Sequence, residues 1–126
     1  MADSPGGVLI VEDEEELRNL FALLLEMDGF TVFQANDGSN GLEMLQEHVA
    51  EIRLLITDLN LPRVGGVDLI RRARALNPDI KIVGTSGMSG ESVRLMVMKA
   101  GADDFLPKPF QPKEAISKLR ALLGLT

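Results

Sequence analysis

The sequence has no cysteine and a single histidine, His48. Without cysteine there is no disulfide, no thiolate nucleophile and no thiolate metal site. A lone histidine near a helix end reads as a solvated side chain rather than a metal ligand or phosphocarrier. No apolar run approaches the ~20 residues that a membrane-spanning helix needs, and no signal-peptide pattern opens the chain, so the cytoplasm is the default compartment. Basic residues are outnumbered, 13 Lys and Arg against 19 Asp and Glu, for a formal net charge of −6. That balance excludes a general nucleic-acid binder, which would carry a basic patch. Repeats and low-complexity stretches are also missing. What remains is an ordinary apolar and charged composition over 126 residues, enough for one domain with a normal core. Residues 1–7 are small and polar and read as a flexible start, with the domain occupying 8–126.

The chain is organised around Leu54-Leu55-Ile56-Thr57-Asp58-Leu59-Asn60-Leu61-Pro62. An apolar run of this length, closed by Pro62 and Gly65-Gly66, reads as a buried strand. It delivers one carboxylate, Asp58, to its end. A carboxylate there costs free energy unless a cation or donor meets it; the plainer reading is a turn or helix-capping Asp. Four further short runs share this plan. Val8–Val11 ends in Glu12-Asp13, Thr31–Ala35 ends in a turn, Ile80–Thr85 ends at Ser86-Gly87, and Asp104–Leu106 runs into Pro107-Lys108-Pro109-Phe110.

Amphipathic segments alternate with these strands. The first carries Leu17, Leu20, Phe21 and Leu24 at helical spacing, with Glu14, Glu15 and Glu16 suiting the positive end of its dipole. Asp28-Gly29 stops it. Ser39 is placed to cap the second helix, which carries Leu42 and Leu45. The third carries Leu69, Ile70 and Ala73 inward and Arg71, Arg72 and Arg74 mostly outward, as a solvated face or a partner patch. The fourth, about 90–100, has a stripe of Val93, Met96, Val97 and Ala100, with Leu95 and Met98 opposite. The last, about 111–123, buries Ile116, Leu119 and Leu123.

Five strands alternating with five helices predict an α/β doubly wound fold, a parallel sheet covered on both faces. All strands then end on one edge, where ligands bind. This brings Glu12, Asp13, Asp58, Ser86 and Lys108 together whatever the strand order. The first three offer only oxygen ligands, which favours a hard cation, Mg²⁺ before Zn²⁺. An Asp carboxylate beside a cation is able to attack phosphorus and form an aspartyl phosphate. Lys108 and the Ser86 hydroxyl would then meet the dianion. Each residue alone has a plainer reading, as turn hydroxyl, surface lysine or helix-start acid. Placement of all of them at strand ends by chance is far less plausible.

These motifs resemble the receiver domain of two-component response regulators, over Val8 to about Leu123. The resemblance rests on Glu12-Asp13 after strand one, Asp58 after strand three, Ser86-Gly87 after strand four and Lys108-Pro109-Phe110 after strand five. It implies a flavodoxin-like (βα)5 sandwich with strand order 2-1-3-4-5. It implies that Asp58 accepts a phosphoryl group from a histidine kinase or histidine phosphotransfer protein. Asp13, Asp58 and the Asn60 backbone carbonyl would bind Mg²⁺, or Mn²⁺ in its place, with Glu12 assisting partly through water. Lys108 would pair with the phosphate, and Ser86 would move to hydrogen-bond it. Phe105 matches the aromatic switch position and would turn inward as Ser86 moves. A cis Lys108–Pro109 bond is implied as well. The output face implied is helix 4, strand 5 and helix 5, meeting a partner or a second copy. By helical spacing Leu95 and Met98 read either as singly exposed apolar residues or as part of that face beside Phe105. Three positions depart from the commoner pattern: Glu12 replaces Asp, Ser86 replaces Thr, and Phe105 lacks a phenol hydroxyl, so a switch there works by packing alone.

Two rival readings are weaker. An Asp-nucleophile metal-dependent phosphatase needs a second acid and a cap over its substrate. Here Asn60 stands two residues after Asp58, and no segment is left to build a cap. A purely structural pseudo-receiver would have lost the acceptor, the lysine or the acid pair. The favoured reading is therefore a signalling domain that gains and loses its own phosphate, not a turnover enzyme. Its output is not written here: it is either a stand-alone regulator or one part of a longer chain.

Overall fold

The computed structural model describes residues 5–88 and 90–125. The flexible start expected at 1–7 therefore lies partly outside the described residues. Of that stretch, Gly7 already belongs to the first strand, and the Pro5 carbonyl accepts a bond from Arg53 Nη1 at 2.9 Å. The elements run β1 (Gly7–Val11), α1 (Glu15–Met27), β2 (Thr31–Ala35), α2 (Gly38–Glu47), β3 (Ile52–Asp58), α3 (Gly66–Leu76), β4 (Lys81–Ser86), α4 (Glu91–Ala100), β5 (Asp104–Pro107) and α5 (Pro112–Leu122). The sheet order is β2-β1-β3-β4-β5 and every pairing is parallel, the flavodoxin-like arrangement.

Strand periodicity builds a core on each face. Leu9, Val11, Leu55, Ile82 and Phe105 point to one side, where α2, α3 and α4 contribute Leu45, Leu69, Ile70 and Val97. Val8, Ile10, Leu54, Ile56, Val83 and Leu106 point to the other, against Phe21, Leu25, Ala115 and Leu119 of α1 and α5. Two glycines let layers approach closely. A Cβ at Gly84 would lie 2.6 Å from Val97 Cγ1, so β4 meets α4 only without a side chain there. A Cβ at Gly66 would collide with the Asp58 carbonyl and Leu59, so this glycine seats α3 directly behind the loop that carries the central carboxylate.

Several helix faces differ from the sequence expectation. In α1 the buried stripe is Phe21, Ala22 and Leu25, while Leu20 is 48% exposed. Residues 20–25 are all apolar, so periodicity does not choose between faces, and the sheet takes the one where Ala22 permits close approach. In α4, Val93, Val97 and Ala100 face the core as expected, but Met96 is exposed and Met98 packs on the core. Arg94, one turn before Met98, reaches Asp104 of β5 at 3.9 Å. That flank of α4 is thus the one β5 covers. In α5, Ala115 and Leu119 are buried, with Ile116 and Leu123 only half-buried. The α2 cap is Asp37, whose Oδ1 accepts from the Asn40 amide at 2.7 Å, rather than Ser39. His48 is only partly solvated: its ring lies 4.5 Å from that of Phe33 and bonds Glu51 at 3.0 Å.

Arg74 also departs from the outward reading. Its guanidinium donates to the carbonyls of Gly101, Pro78 and Ile80 and to Asp103 Oδ2. Asp103 Oδ2 in turn accepts from the Ile82 amide at 2.8 Å. One side chain thereby clamps α3, the start of β4 and the α4–β5 turn. Arg71 and Arg72 remain exposed.

Candidate functional site

Parallel strands ending in register assemble the site. Val11 pairs with Thr57, Asp58 with Thr85, and Ser86 with Pro107. The residues just past these pairs therefore share one edge. Glu12 and Asp58 are buried there, 5% and 6% exposed, while Asp13 faces solvent. Glu12, Asp13 and Asp58 can each turn one carboxylate oxygen to within 4.8 Å of the others.

Lys108 answers the charge of this cluster. Its Nζ donates to Glu12 Oε1 at 2.6 Å and to Asp58 Oδ2 at 2.9 Å. The second oxygen of each acid is also met: Glu12 Oε2 by the Glu14 amide at 3.0 Å, and Asp58 Oδ1 by the Asn60 amide at 3.1 Å. Burial raises the Glu12 pKa above its usual 4.5, and the Lys108 hydrogen bond and Glu14 amide only partly offset it. For Lys108, burial pulls downward, but its bonds to Glu12 and Asp58 outweigh that and lift its pKa above 10.5. The lysine is therefore held charged.

Ser86 closes β4 fully buried, and its Oγ accepts from the Met88 amide at 3.0 Å. Its carbonyl accepts from the Lys108 amide at 2.8 Å, tying the two loops together. The Lys108–Pro109 bond is cis. Phe105 is already inward, 6% exposed within the core. A switch that begins with Phe105 turning inward does not start from this arrangement. An open groove of about 520 Å³ beside Lys108 is lined by Glu14, Leu17, Gly87, Lys108, Pro109 and Phe110.

Every residue singled out from the sequence for this edge is present on it. One was missed. Arg18, half-buried on α1, donates from Nη1 to the Glu12 carbonyl at 2.8 Å. That bond goes to a backbone oxygen, which leaves no side-chain signal in the sequence. As chemistry, the cluster offers an oxygen-only donor set, a buried carboxylate at a strand end, and a fixed cation beside it. The donor set fits a hard divalent ion.

Comparison with known proteins agrees with this geometry. The pattern of the response regulator receiver domain family matches residues 8–120. The transcriptional regulatory protein CpxR of Escherichia coli K12 is 35% identical over 116 residues, covering 92% of this chain and 48% of CpxR. The chain thus spans about half the length of the curated relatives it matches. A CheY-like receiver domain protein from Methanospirillum hungatei superposes with a TM-score of 0.87 at 27% identity, covering 94% of both chains. A response regulator from Burkholderia pseudomallei, solved with a phosphorylated aspartic acid, a calcium ion and citrate, gives a TM-score of 0.82 at 25% identity. That likeness covers 97% of this chain and 69% of the other.

Proposed function

Because the chain belongs to the response regulator receiver domain family, we propose that Asp58 is its phosphoacceptor and that the surrounding residues serve transfer to it. The observation that carries this reading is the double hold on Asp58. Asn60 N–H on Oδ1 and Lys108 on Oδ2 fix a buried carboxylate at the end of β3, beside two further acids. Transfer from a phosphohistidine forms a bond between an Asp58 oxygen and phosphorus and breaks the N–P bond. The departing electron pair stays on the imidazole nitrogen, which takes up a proton. Asp58 gives up part of its bond to Lys108, and the ammonium is left beside the new dianion. Ser86 Oγ, which accepts from the Met88 amide, would donate its own proton to a phosphate oxygen.

Glu12, Asp13, Asp58 and the Asn60 carbonyl would hold Mg²⁺ or Mn²⁺, which neutralises the charge that builds on the transferred group. A histidine kinase or histidine phosphotransfer protein is the donor in this reading. The response would be read at α4, β5 and α5, by a partner or a second copy. Leu95 and Met96 replace Leu95 and Met98 as the exposed apolar pair, being 56% and 44% exposed. No helix among the described residues is long and apolar enough to cross a membrane. A signalling role in the cytoplasm, without direct nucleic-acid contact by this domain, completes the reading.

The test is incubation with acetyl phosphate and Mg²⁺. One labile phosphate per chain, absent from Asp58→Asn, is the expected result. Labelling of Asp58→Asn at the wild-type rate would overturn the assignment. Continuous release of phosphate at enzyme-like rates would favour the phosphatase instead.

A further inference from the structure

The exposed Asp13 is the loosest member of the acid cluster. Its carboxylate has no hydrogen-bond or ion-pair partner among the described residues, so what the fold fixes is the backbone from which it departs. That backbone is pinned on both sides. Before it, the Glu12 amide donates to the Ala35 carbonyl at 3.1 Å, and the Glu12 carbonyl accepts from Arg18 Nη1 at 2.8 Å. After it, the Glu14 amide bonds Glu12 Oε2 at 3.0 Å. The oxygen that Arg18 grips belongs to the peptide unit joining Glu12 to Asp13, so this bond sets the plane from which Asp13 departs. Arg18 is itself braced, its Nε donating to Gln34 Oε1 on β2 at 3.3 Å.

We propose that Arg18 is a positioning residue for the cation site: a strap from β2 through Arg18 to the Glu12 carbonyl holds the β1–α1 turn so that Asp13 addresses Asp58. This rests on the reading of the acid cluster as a divalent-ion site. Arg18 touches neither ion nor phosphate. Partners that orient a ligand are worth roughly 10–100-fold in metal affinity. A bond to the ligand's backbone, rather than to its carboxylate, belongs at the lower end, about tenfold. The plain electrostatic alternative runs the other way. A guanidinium near the site repels a cation, so if charge were all that mattered, removing Arg18 would tighten metal binding.

The experiment uses the 126-residue chain as wild type, Arg18→Ala, Arg18→Lys and Gln34→Leu. Mn²⁺ affinity is measured by water-proton relaxation without any phosphodonor, with Mg²⁺ competition alongside. The Mg²⁺ dependence of acetyl phosphate labelling is measured separately. Arg18→Ala should bind Mn²⁺ about tenfold more weakly. Its labelling should need correspondingly more Mg²⁺, with an unchanged rate at saturation. Arg18→Lys should recover part of the loss, because one ammonium can still reach the Glu12 carbonyl, and Gln34→Leu should fall between it and wild type. Equal or tighter Mn²⁺ binding by folded Arg18→Ala overturns the proposal. Should circular dichroism show Arg18→Ala unfolded, wild-type affinity in both Arg18→Lys and Gln34→Leu overturns it equally. Wild type that binds no Mn²⁺ sinks the strap directly. Wild type that binds Mn²⁺ but takes no phosphate sinks the acceptor reading instead, and the strap is still judged on Mn²⁺ affinity.

Discussion

Replacing Lys108 by methionine keeps the length of the side chain and removes its charge. In the native site the lysine bridges Glu12 at 2.6 Å and Asp58 at 2.9 Å, and the three side chains are 19%, 6% and 8% exposed. Breaking a buried ion pair by deleting one partner costs about 3–5 kcal/mol, because the remaining charge is stranded. Some solvent reaches Lys108, which places the expected loss near about 3 kcal/mol at pH 7 without divalent ions. For a domain of this size that is about 10 °C in Tm. The pH dependence has a definite sign. Glu12 has a raised pKa, so its neutral form is favoured by folding, and the stability that favour contributes is present below 4.5 and lost as pH rises through the folded value. The penalty of Lys108→Met should therefore shrink on acidification, as the stranded Glu12 carboxylate protonates. Lys108 titrates above 10.5, so the wild-type advantage should persist up to that pH and vanish as pH rises through the folded value. Added Mg²⁺ should stabilise the variant more than wild type, since it restores the missing positive charge. Urea denaturation followed by far-ultraviolet circular dichroism is the suitable assay, because the chain has no Trp or Tyr to report by fluorescence. A variant as stable as wild type at pH 7, or a penalty that grows toward acid pH, would refute this account.

Three further outcomes can be checked. Asp13→Asn removes one of three clustered charges from an exposed position, so the metal-free variant should unfold at the same urea concentration as wild type or higher, while its Mn²⁺ affinity falls; a clear loss of metal-free stability would make Asp13 a structural residue. Arg74→Ala removes the charged partner of Asp103, which keeps only the Ile82 amide, and the guanidinium donor of the Gly101, Pro78 and Ile80 carbonyls, and should cost about 2–4 kcal/mol in the same assay with little effect on the labelling rate. An unchanged denaturation midpoint would show that the clamp contributes nothing. Leu95→Asp with Met96→Asp should abolish phosphorylation-dependent association while sparing labelling, read by sedimentation with beryllofluoride and Mg²⁺ as the phosphate mimic; normal association would move the output surface away from α4.

What could be read from the sequence, and what could not, divides by the kind of partner each residue meets. The five strand ends were legible because parallel strands share one edge, so Glu12, Asp13, Asp58, Ser86 and Lys108 converge on it once the strands are recognised. Helix faces were legible only where apolar residues form one stripe, as with Leu69, Ile70 and Ala73. Where they spread around the helix, as over residues 20–25 of α1 or at Met96 and Met98 of α4, packing decided and the pattern could not.

Arg18 and Arg74 were illegible for a different reason: the bonds that tie them to the turns go to backbone carbonyls, and a carbonyl has the same signature at every position. The two arginines nevertheless act on opposite parts of the domain. Arg18 holds the turn that presents the acid pair, at the strand ends that carry the chemistry. Arg74 holds the Gly101 carbonyl just past the end of α4. That helix begins after Gly90, which has φ 113° and gives no side-chain cap. Earlier in the chain, the buried Ser86 hydroxyl accepts from the Met88 amide. Arg74 thus anchors α4 at Gly101, while Gly90 at the other end offers no side chain to cap the first amides of the helix.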